Sequence, residues 1–332
     1  MNAPVLLEVK NLCVDYVTAR GPVRAVDNVS FTIHEGEVFG LAGESGSGKS
    51  TSAMAIMRLL QRPALITGGS ATFKGRPIFA MSEAELRAFR WKNIALVFQS
   101  AMNALNPVMS IGQQICDVIV AHEHVPKAQA QERAAALLQL VGIKSERLRS
   151  YPHQLSGGMR QRVVIAIALA LEPPLLFMDE PTTALDVVVQ KEILQQIAEL
   201  KNKLGFSILF ITHDLSLMLE FCDTIGIIYA GKLCEVAPAQ DILSCPRHPY
   251  TLGLMQSFPE LHGERQRMTG IAGAPPDMRK PPLGCRFHPR CPSATVGCDS
   301  LAPELLSITA KHHVACHLHP ADPNIREKGH ES

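Results

Sequence analysis

Net charge is almost absent from this chain of 332 residues, in which 32 Lys and Arg face 31 Asp and Glu. That balance argues against a protein held on nucleic acid or lipid by bulk charge. Long apolar runs are missing too. The longest clean one is Val163 to Leu171, far short of the roughly 20 residues needed to cross a bilayer. Met1 to Lys10 has no basic stretch followed by a long apolar one, so no secretory signal is expected there. No repeat at a solenoid period occurs. These absences imply a reduced, cytosolic setting, where nine cysteines are not expected to form a disulfide framework. What remains, 46% hydrophobic and 19% charged residues, is globular rather than disordered composition. The length suggests about two domains.

The first hundred residues read as strands with turns. Apolar residues from Leu7 to Tyr16, the run Val38 to Ala42 and the run Ile94 to Phe98 predict strands, and Lys49 to Leu60 predicts a helix. Helices are expected over Ile111 to Ala121, Ala128 to Val141 (stopped by Gly142) and Gln161 to Leu171. Strand and helix then alternate: Leu175 to Met178, Val189 to Lys203, Ser207 to Thr212, Leu215 to Phe221 and Thr224 to Tyr229. The alternation predicts an α/β fold with a mainly parallel sheet and helices on its faces. After about Pro249 the chain is punctuated by Pro and Gly, which predicts a separate, loop-rich extension.

Between the strand ending at Ala42 and the following helix lies Gly43-Glu44-Ser45-Gly46-Ser47-Gly48-Lys49-Ser50-Thr51, the G-x-x-x-x-G-K-[ST] phosphate loop in its expected setting. Glycines let the loop turn tightly, so that backbone amides converge on phosphate oxygens, and the helix N-terminus adds partial positive charge. Lys49 is placed to reach the outer phosphates, Ser50 to ligate magnesium and Thr51 to bond a phosphate oxygen. The strand Leu-Leu-Phe-Met ends in Asp179 and Glu180. Asp179 suits magnesium held through water, and Glu180, on the other side of the pleat, suits polarisation of an attacking water.

Leu155 to Arg162 reads L-S-G-G-M-R-Q-R, about a hundred residues after the phosphate loop and shortly before L-L-F-M-D-E. This order resembles the ATP-binding-cassette (ABC) ATPases over about residues 5 to 245. Gln99 matches the family's Q-loop, Ala184-Leu185-Asp186 its D-loop, His213 its switch histidine and Tyr16 the aromatic that stacks on adenine. The resemblance implies a P-loop NTPase core of RecA-like type with a mixed sheet and a helical subdomain at about 101–170. It also implies that Ser156, Gly157 and Gly158 face the γ-phosphate bound by an opposite ATPase domain. One chain then holds half of each composite site. Gln99 would contact magnesium and water, and His213 the γ-phosphate.

A narrower likeness follows. F-Q-S-A-M-N-A-L-N-P (Phe98 to Pro107), Y-P-H-Q-L-S-G-G-M-R-Q-R (Tyr151 to Arg162), R-H-P-Y-T (Arg247 to Thr251) and G-C-R-F-H-P-R-C-P (Gly284 to Pro292) resemble the oligopeptide, dipeptide and nickel importer ATPases. That resemblance implies an ATP-hydrolysing subunit, peripheral on the cytoplasmic face of a bacterial plasma membrane. Its implied partners are a second, related ATPase chain, two membrane permease subunits and, indirectly, an extracytoplasmic solute-binding protein. Peptides are the implied solute, with nickel chelates or another small solute as the alternative. Ser100 stands where that family often has an acid, and Val188 where a threonine is common. Non-transport cassette ATPases acting on DNA or ribosomes carry long inserts or two cassettes, and neither feature is present, nor is a basic stripe for nucleic acid. A regulatory module that does not hydrolyse ATP is disfavoured by Glu180 and His213.

Cys285, Cys291, Cys298 and Cys316 are spaced C-x5-C-x6-C-x17-C. Spacing alone leaves open an iron–sulfur cluster, zinc with help from His288, His312, His313 or His317, and four free thiols. The importer resemblance implies a structural [4Fe-4S] cluster on the four cysteines.

Overall fold

The computed structural model describes residues 3–98, 104–183, 185–257 and 270–319. In chain order the elements are β1 (Val5–Thr18), β2 (Gly21–His34), β3 (Val38–Ala42), α1 (Lys49–Ile56), β4 (Ala64–Phe73), β5 (Arg76–Pro77), α2 (Glu83–Phe89) and β6 (Ile94–Val97). Then come α3 (Ile111–Glu123), α4 (Lys127–Leu140), α5 (Gly157–Ala168), β7 (Leu175–Asp179), α6 (Val187–Leu204) and β8 (Ser207–Ile211). The chain continues with α7 (Leu215–Phe221), β9 (Thr224–Tyr229), β10 (Lys232–Pro238), α8 (Ala239–Ser244), α9 (Pro249–Gln256), β11 (Leu306–Thr309) and β12 (His312–Val314). Packing divides it into two compact units. One, here the loop unit, comprises Leu7–Thr32, Phe39–Gly75 and Thr212–Ser332. The other, the helical unit, comprises Met1–Leu6, Ile33–Val38 and Arg76–Ile211.

In the loop unit β1 pairs with β4 antiparallel, Leu7 opposite Phe73 and Tyr16 opposite Ala64. A second sheet is mixed. β3 lies parallel to β9, with Phe39 opposite Thr224, and β9 turns back antiparallel to β10. β12 pairs with β10 and β11 with β12, both antiparallel. Leu41, Ile225, Ile227 and Ile228 are fully buried, which explains why β3 and β9 are continuous apolar runs rather than alternating ones. The chain beyond Pro249 is tied into this core. Tyr250 of α9, tilted, and Phe287, edge-on, pack against Tyr229 at the end of β9, with ring centroids 4.6 and 5.3 Å away. Glu235 of β10, completely buried, accepts from the backbone N–H groups of Arg247 and His248 and pairs with His312 of β12.

In the helical unit β6, β7 and β8 run parallel, Ile94 opposite Leu175 and Leu175 opposite Ser207. Every residue of β7 and β8 is buried. The helices α3, α4 and α5 pack on one another, and the buried apolar side chains recur at helical spacing: Ile111, Ile115 and Ile119 on α3, Ala130, Ala134 and Leu138 on α4. α3 starts with a reciprocal capping box, Ser110 Oγ accepting from Gln113 N and Gln113 Oε1 from Ser110 N.

Several boundaries differ from the sequence expectation. α1 stops at Ile56, four residues short of Leu60. Arg58 takes a left-handed φ of 51°, and the N–H groups of Arg58 and Leu59 donate to Ala55 and Met54. This is a Schellman ending with arginine where glycine is usual. α5 begins at Gly157 rather than Gln161, because Ser156 caps it. The region past Pro249 contains α9, β11 and β12.

Candidate nucleotide-binding site

The loop unit carries the glycine loop where β3 ends. Gly43 has φ +150°, and a Cβ there would stand 2.1 Å from the Ile228 carbonyl oxygen. Gly48 has φ +104°, and a Cβ would stand 2.6 Å from the Ala25 carbonyl oxygen. No other residue type fits either position, so the loop is shaped by close backbone approach as well as by its turns. Gly48 is the N-cap of α1. It offers no capping side chain, and the helix has no acidic residue in its first turn. The positive end of the helix therefore meets no carboxylate of its own at the loop.

Lys49 is buried, and its Nζ donates to the carbonyls of Gly43 (2.7 Å) and Glu44 (2.9 Å). The ammonium thus lies over the mouth of the loop. Ser45 and Gly46 are exposed, and Ser47 is buried, donating its N–H to Glu44 O and accepting from Gly231 N. The Tyr16 hydroxyl lies 3.4 Å from Thr51 Oγ1. His213, exposed, sits between Thr212 and Asp214, which caps α7 by accepting from Ser216 and Leu217 N–H.

In the helical unit Asp179 ends β7 and is buried. Glu180 follows with φ +46°, unusual for a non-glycine residue and costly enough to mark a constrained position. Its N–H donates to Ile211 O at 2.8 Å, and its Oε2 accepts from Thr183 Oγ1 at 3.0 Å. Ser156 is the N-cap of α5, its Oγ accepting from Met159 N. Gly157 and Gly158 are the first helical residues. At Gly158 a Cβ would meet Val189 Cγ1 at 2.9 Å, so α5 and α6 approach closely only because that residue is small. Asp186 caps α6 by accepting from Val189 N at 3.0 Å. Ser156, Gly157, Gly158 and Asp186 line one cleft of about 690 Å³, which also takes in Arg147 and Arg162. Its charged lining is mixed: Lys144, Arg147 and Arg162 stand with Asp186 and Glu192, Arg162 pairs with Glu192 at 3.6 Å, and the N-terminus of α5 meets no carboxylate of its own first turn. Gln99 and Ala184 lie outside the described residues.

The iron–sulfur expectation for Cys285, Cys291, Cys298 and Cys316 is corrected by the structure. Among the described residues no group of three or more His, Cys, Asp or Glu side chains is arranged to hold a metal ion. The four cysteines line a cavity of about 10 Å³ together with His248, His288 and His317. The nearby histidines are engaged: His288 Nδ1 with Cys285 O, His317 Nε2 with Leu301 O, and His312 Nε2 with Glu235.

The same segment contributes residues that the cysteine spacing overshadowed. Arg290 pairs through both nitrogens of its fork with the Glu44 carboxylate (2.8 and 3.0 Å), and the Tyr250 hydroxyl accepts from Glu44 N (2.9 Å). Arg286 reaches Asp27 at 2.6 Å and donates to Ala230 O. Both arginines and Tyr250 stand inside the stretches R-H-P-Y-T and G-C-R-F-H-P-R-C-P. The signal was a guanidinium at each end of R-F-H-P-R, a residue type suited to bidentate carboxylate pairing.

Residues 26–183 match the ABC transporter family, and residues 234–298 match the oligopeptide/dipeptide transporter C-terminal region. The chain is similar to the dipeptide transport ATP-binding protein DppD of Bacillus subtilis, 43% identical over 316 residues, covering 94% of each chain. It is similar to the oligopeptide transport ATP-binding protein OppD of Salmonella typhimurium, 45% identical over 303 residues, covering 91% of this chain and 90% of that one. Among solved structures, the ATP-binding cassette MJ0796 in a dimeric post-hydrolysis state with ADP and Pi superposes with a TM-score of 0.63 at 29% identity, covering 70% of this chain and 99% of that one. CbiO1 of Clostridium perfringens, part of the transporter complex cbiONQ, gives 0.63 at 27% identity, covering 73% and 92%.

Proposed function

From the premise that this chain belongs to the ABC transporter ATPases, in the family of oligopeptide and dipeptide transport ATP-binding proteins, we propose that it powers the import of peptides by binding and hydrolysing ATP. The observation that carries this reading is the cradle at Gly43 and Gly48, which closes against carbonyl oxygens where any Cβ would stand and leaves Lys49 over its mouth. Those residues fit a nucleotide triphosphate with magnesium. In this reading Tyr16 stacks on adenine, the amides of residues 43–48 and the Lys49 ammonium hold the phosphates, and Thr51 bonds a phosphate oxygen.

Magnesium, when bound with ATP, offsets phosphate charge, and Ser50, Asp179 and Gln99 are the residues assigned to hold it. Glu180 accepts a proton from the attacking water, so that the water oxygen bonds to the γ-phosphorus as the bond to ADP breaks. The fixed backbone at Glu180 and its bond to Thr183 set the carboxylate's direction. His213 donates to the charge that builds on the γ-phosphate. The cleft holding Ser156, Gly157, Gly158 and Asp186 receives the γ-phosphate bound by a second ATPase chain, related to this one but not identical.

No helix among the described residues is long and apolar enough to cross a membrane. The pore is assigned to two permease subunits, with this chain peripheral at their cytoplasmic side and an extracytoplasmic binding protein delivering the solute. Residues 1–250 act as the ATPase domain, with the helical subdomain at about 101–170, and residues 251–332 as its extension. The test is ATP hydrolysis by the chain assembled with its permeases in vesicles. Hydrolysis stimulated by binding protein loaded with di- or oligopeptides supports the reading. Stimulation by nickel chelates alone replaces the solute, and copurification with ribosomes or DNA in place of permeases removes the transport role.

A further inference from the structure

The phosphate loop carries one acidic side chain, Glu44, between Gly43 and the segment that turns into α1. A carboxylate in a loop that holds a triphosphate is a repulsive element. Glu44 is nevertheless built into the loop's geometry: its carbonyl accepts from Lys49 Nζ and from Ser47 N. Everything else it uses is answered from beyond residue 249. Its N–H goes to the Tyr250 hydroxyl, and its two carboxylate oxygens go to Arg290.

Arg290 is held as firmly as a guanidinium can be. Its side chain is 6% exposed. Nε donates to Ala272 O, Nη1 to Glu44 Oε2 and the Tyr229 hydroxyl, and Nη2 to Glu44 Oε1 and Ile271 O. These five bonds match the five N–H groups of the side chain. A second arginine acts on the other end of the loop. Arg286 donates to Ala230 O and pairs with Asp27, and the N–H of that same peptide group, on Gly231, donates to Ser47 O. At Gly231 a Cβ would stand 2.7 Å from Ala25 O and 3.0 Å from Arg286 Nη1, so the turn admits no side chain between the arginine and the loop. Two arginines four residues apart thus brace the loop at Glu44 and, through the turn, at Ser47.

We propose that Arg290 is a positioning residue for nucleotide binding, which holds the phosphate loop in shape and neutralises the Glu44 carboxylate so that the loop presents net positive charge to a triphosphate. This rests on the reading of the chain as an ATP-binding subunit. The C-terminal extension thereby sets the affinity of the nucleotide site, through a charge pair that links residues 246 positions apart.

The test is a double-mutant cycle on the full-length chain, with a fluorescent ATP analogue and magnesium titrated to give Kd and thermal melting followed in parallel. Arg290→Met in the otherwise unchanged chain weakens the analogue about tenfold, the scale of leaving a charged group unpaired. In the Glu44→Gln background the same arginine change alters Kd less than about twofold, because the carboxylate it neutralised is gone. An equal loss in both backgrounds, or no loss in either, overturns the proposal, since a purely structural arginine is not rescued by removing a charge elsewhere. If Arg290→Met does not fold, Arg290→Lys serves in the same cycle. It keeps the charge but loses the fork, weakens the analogue about threefold, and the loss again disappears with Glu44→Gln. Absence of analogue binding by the unsubstituted chain instead contradicts the ATP-binding reading and is distinct from either result.

Discussion

Two helices in this molecule open on glycine-bearing turns, and they are built in opposite ways. α1 enters from Gly48, which has no side chain to cap it, and the loop before it is shaped by backbone oxygens of Ala25 and Ile228 and braced by Tyr250, Arg290 and Gly231. α5 enters from Ser156, which caps its own helix through Met159 N, and needs from its surroundings only that Gly158 stay small against Val189. The first is a remote construction and the second a local one. The difference suits the roles proposed for them, a loop that keeps hold of its own phosphates and a turn that meets phosphates held by a second chain. A cradle that must enclose a ligand has to be rigid from all sides. A helix end that meets a phosphate brought by another chain needs only to be exposed and intact.

Substitutions on each side break or sharpen that contrast. The largest effect is expected at the cradle. Lys49→Ala removes charge-assisted bonds to phosphate and lowers the ATP affinity of the isolated chain by about a hundredfold or more, measured by equilibrium titration. An affinity within a few-fold of the unsubstituted chain would show that the loop does not hold the phosphates.

Acid tests the bracing of the loop unit. Burial holds His248 at a pKa of about 4, against an ordinary 6.5, and its Nδ1 accepts from Tyr250 N at the start of α9. Between those values the unfolded chain takes up a proton that the folded chain refuses. Unfolding free energy therefore falls as pH drops from about 6.5 to about 4, by on the order of 3 kcal/mol from this group. Glu235 adds a second loss at lower pH. Burial alone would raise its pKa, but bonds from His312, His248 and Arg247 outweigh that and leave it lowered. Chemical denaturation at pH 7 and pH 4.5 should show a smaller acid loss in His248→Asn, which keeps a short acceptor for the cap. An undiminished loss would place the titration elsewhere.

The local turn comes next. Gly158→Leu forces a side chain into Val189 and parts α5 from α6, so ATP turnover by the assembled importer should fall at least about tenfold. The ATP affinity of the isolated chain should fall far less than in Lys49→Ala. Equal losses in both assays would erase the distinction between the two helix ends. The smallest effect is expected from Ser156→Ala. Loss of the cap costs about 1 kcal/mol of stability, read from a denaturant midpoint, and a change well above that would mean that Ser156 does more in the resting fold than cap α5.

How much of this was legible depended on whether the cause was local. The loop Gly43 to Thr51, the acids ending β7 and the turn Ser156 to Gly158 are each spelled within a dozen residues, and the structure puts the first and last at helix starts and the acids at a strand end. The end of α1 was missed because Arg58 fills the left-handed position that glycine usually marks. The start of α5 was missed because Gly157 and Gly158 have poor helix propensity, which hid the cap at Ser156. The tail misled most. Cysteine spacing suggested ligation, yet among the described residues no group of three or more His, Cys, Asp or Glu side chains is arranged to hold a metal ion. The residues of that segment that matter to the loop are arginines, whose partners at Asp27 and Glu44 lie 259 and 246 positions away. No pattern of spacing within the tail reports a partner so remote.

The most direct measurement is made on Glu180→Gln in the importer assembled with its permeases and second ATPase. With labelled ATP and magnesium, the account predicts that nucleotide is retained as ATP while turnover falls about a hundredfold or more. Turnover at the level of the unsubstituted complex, or no retained nucleotide, would contradict it.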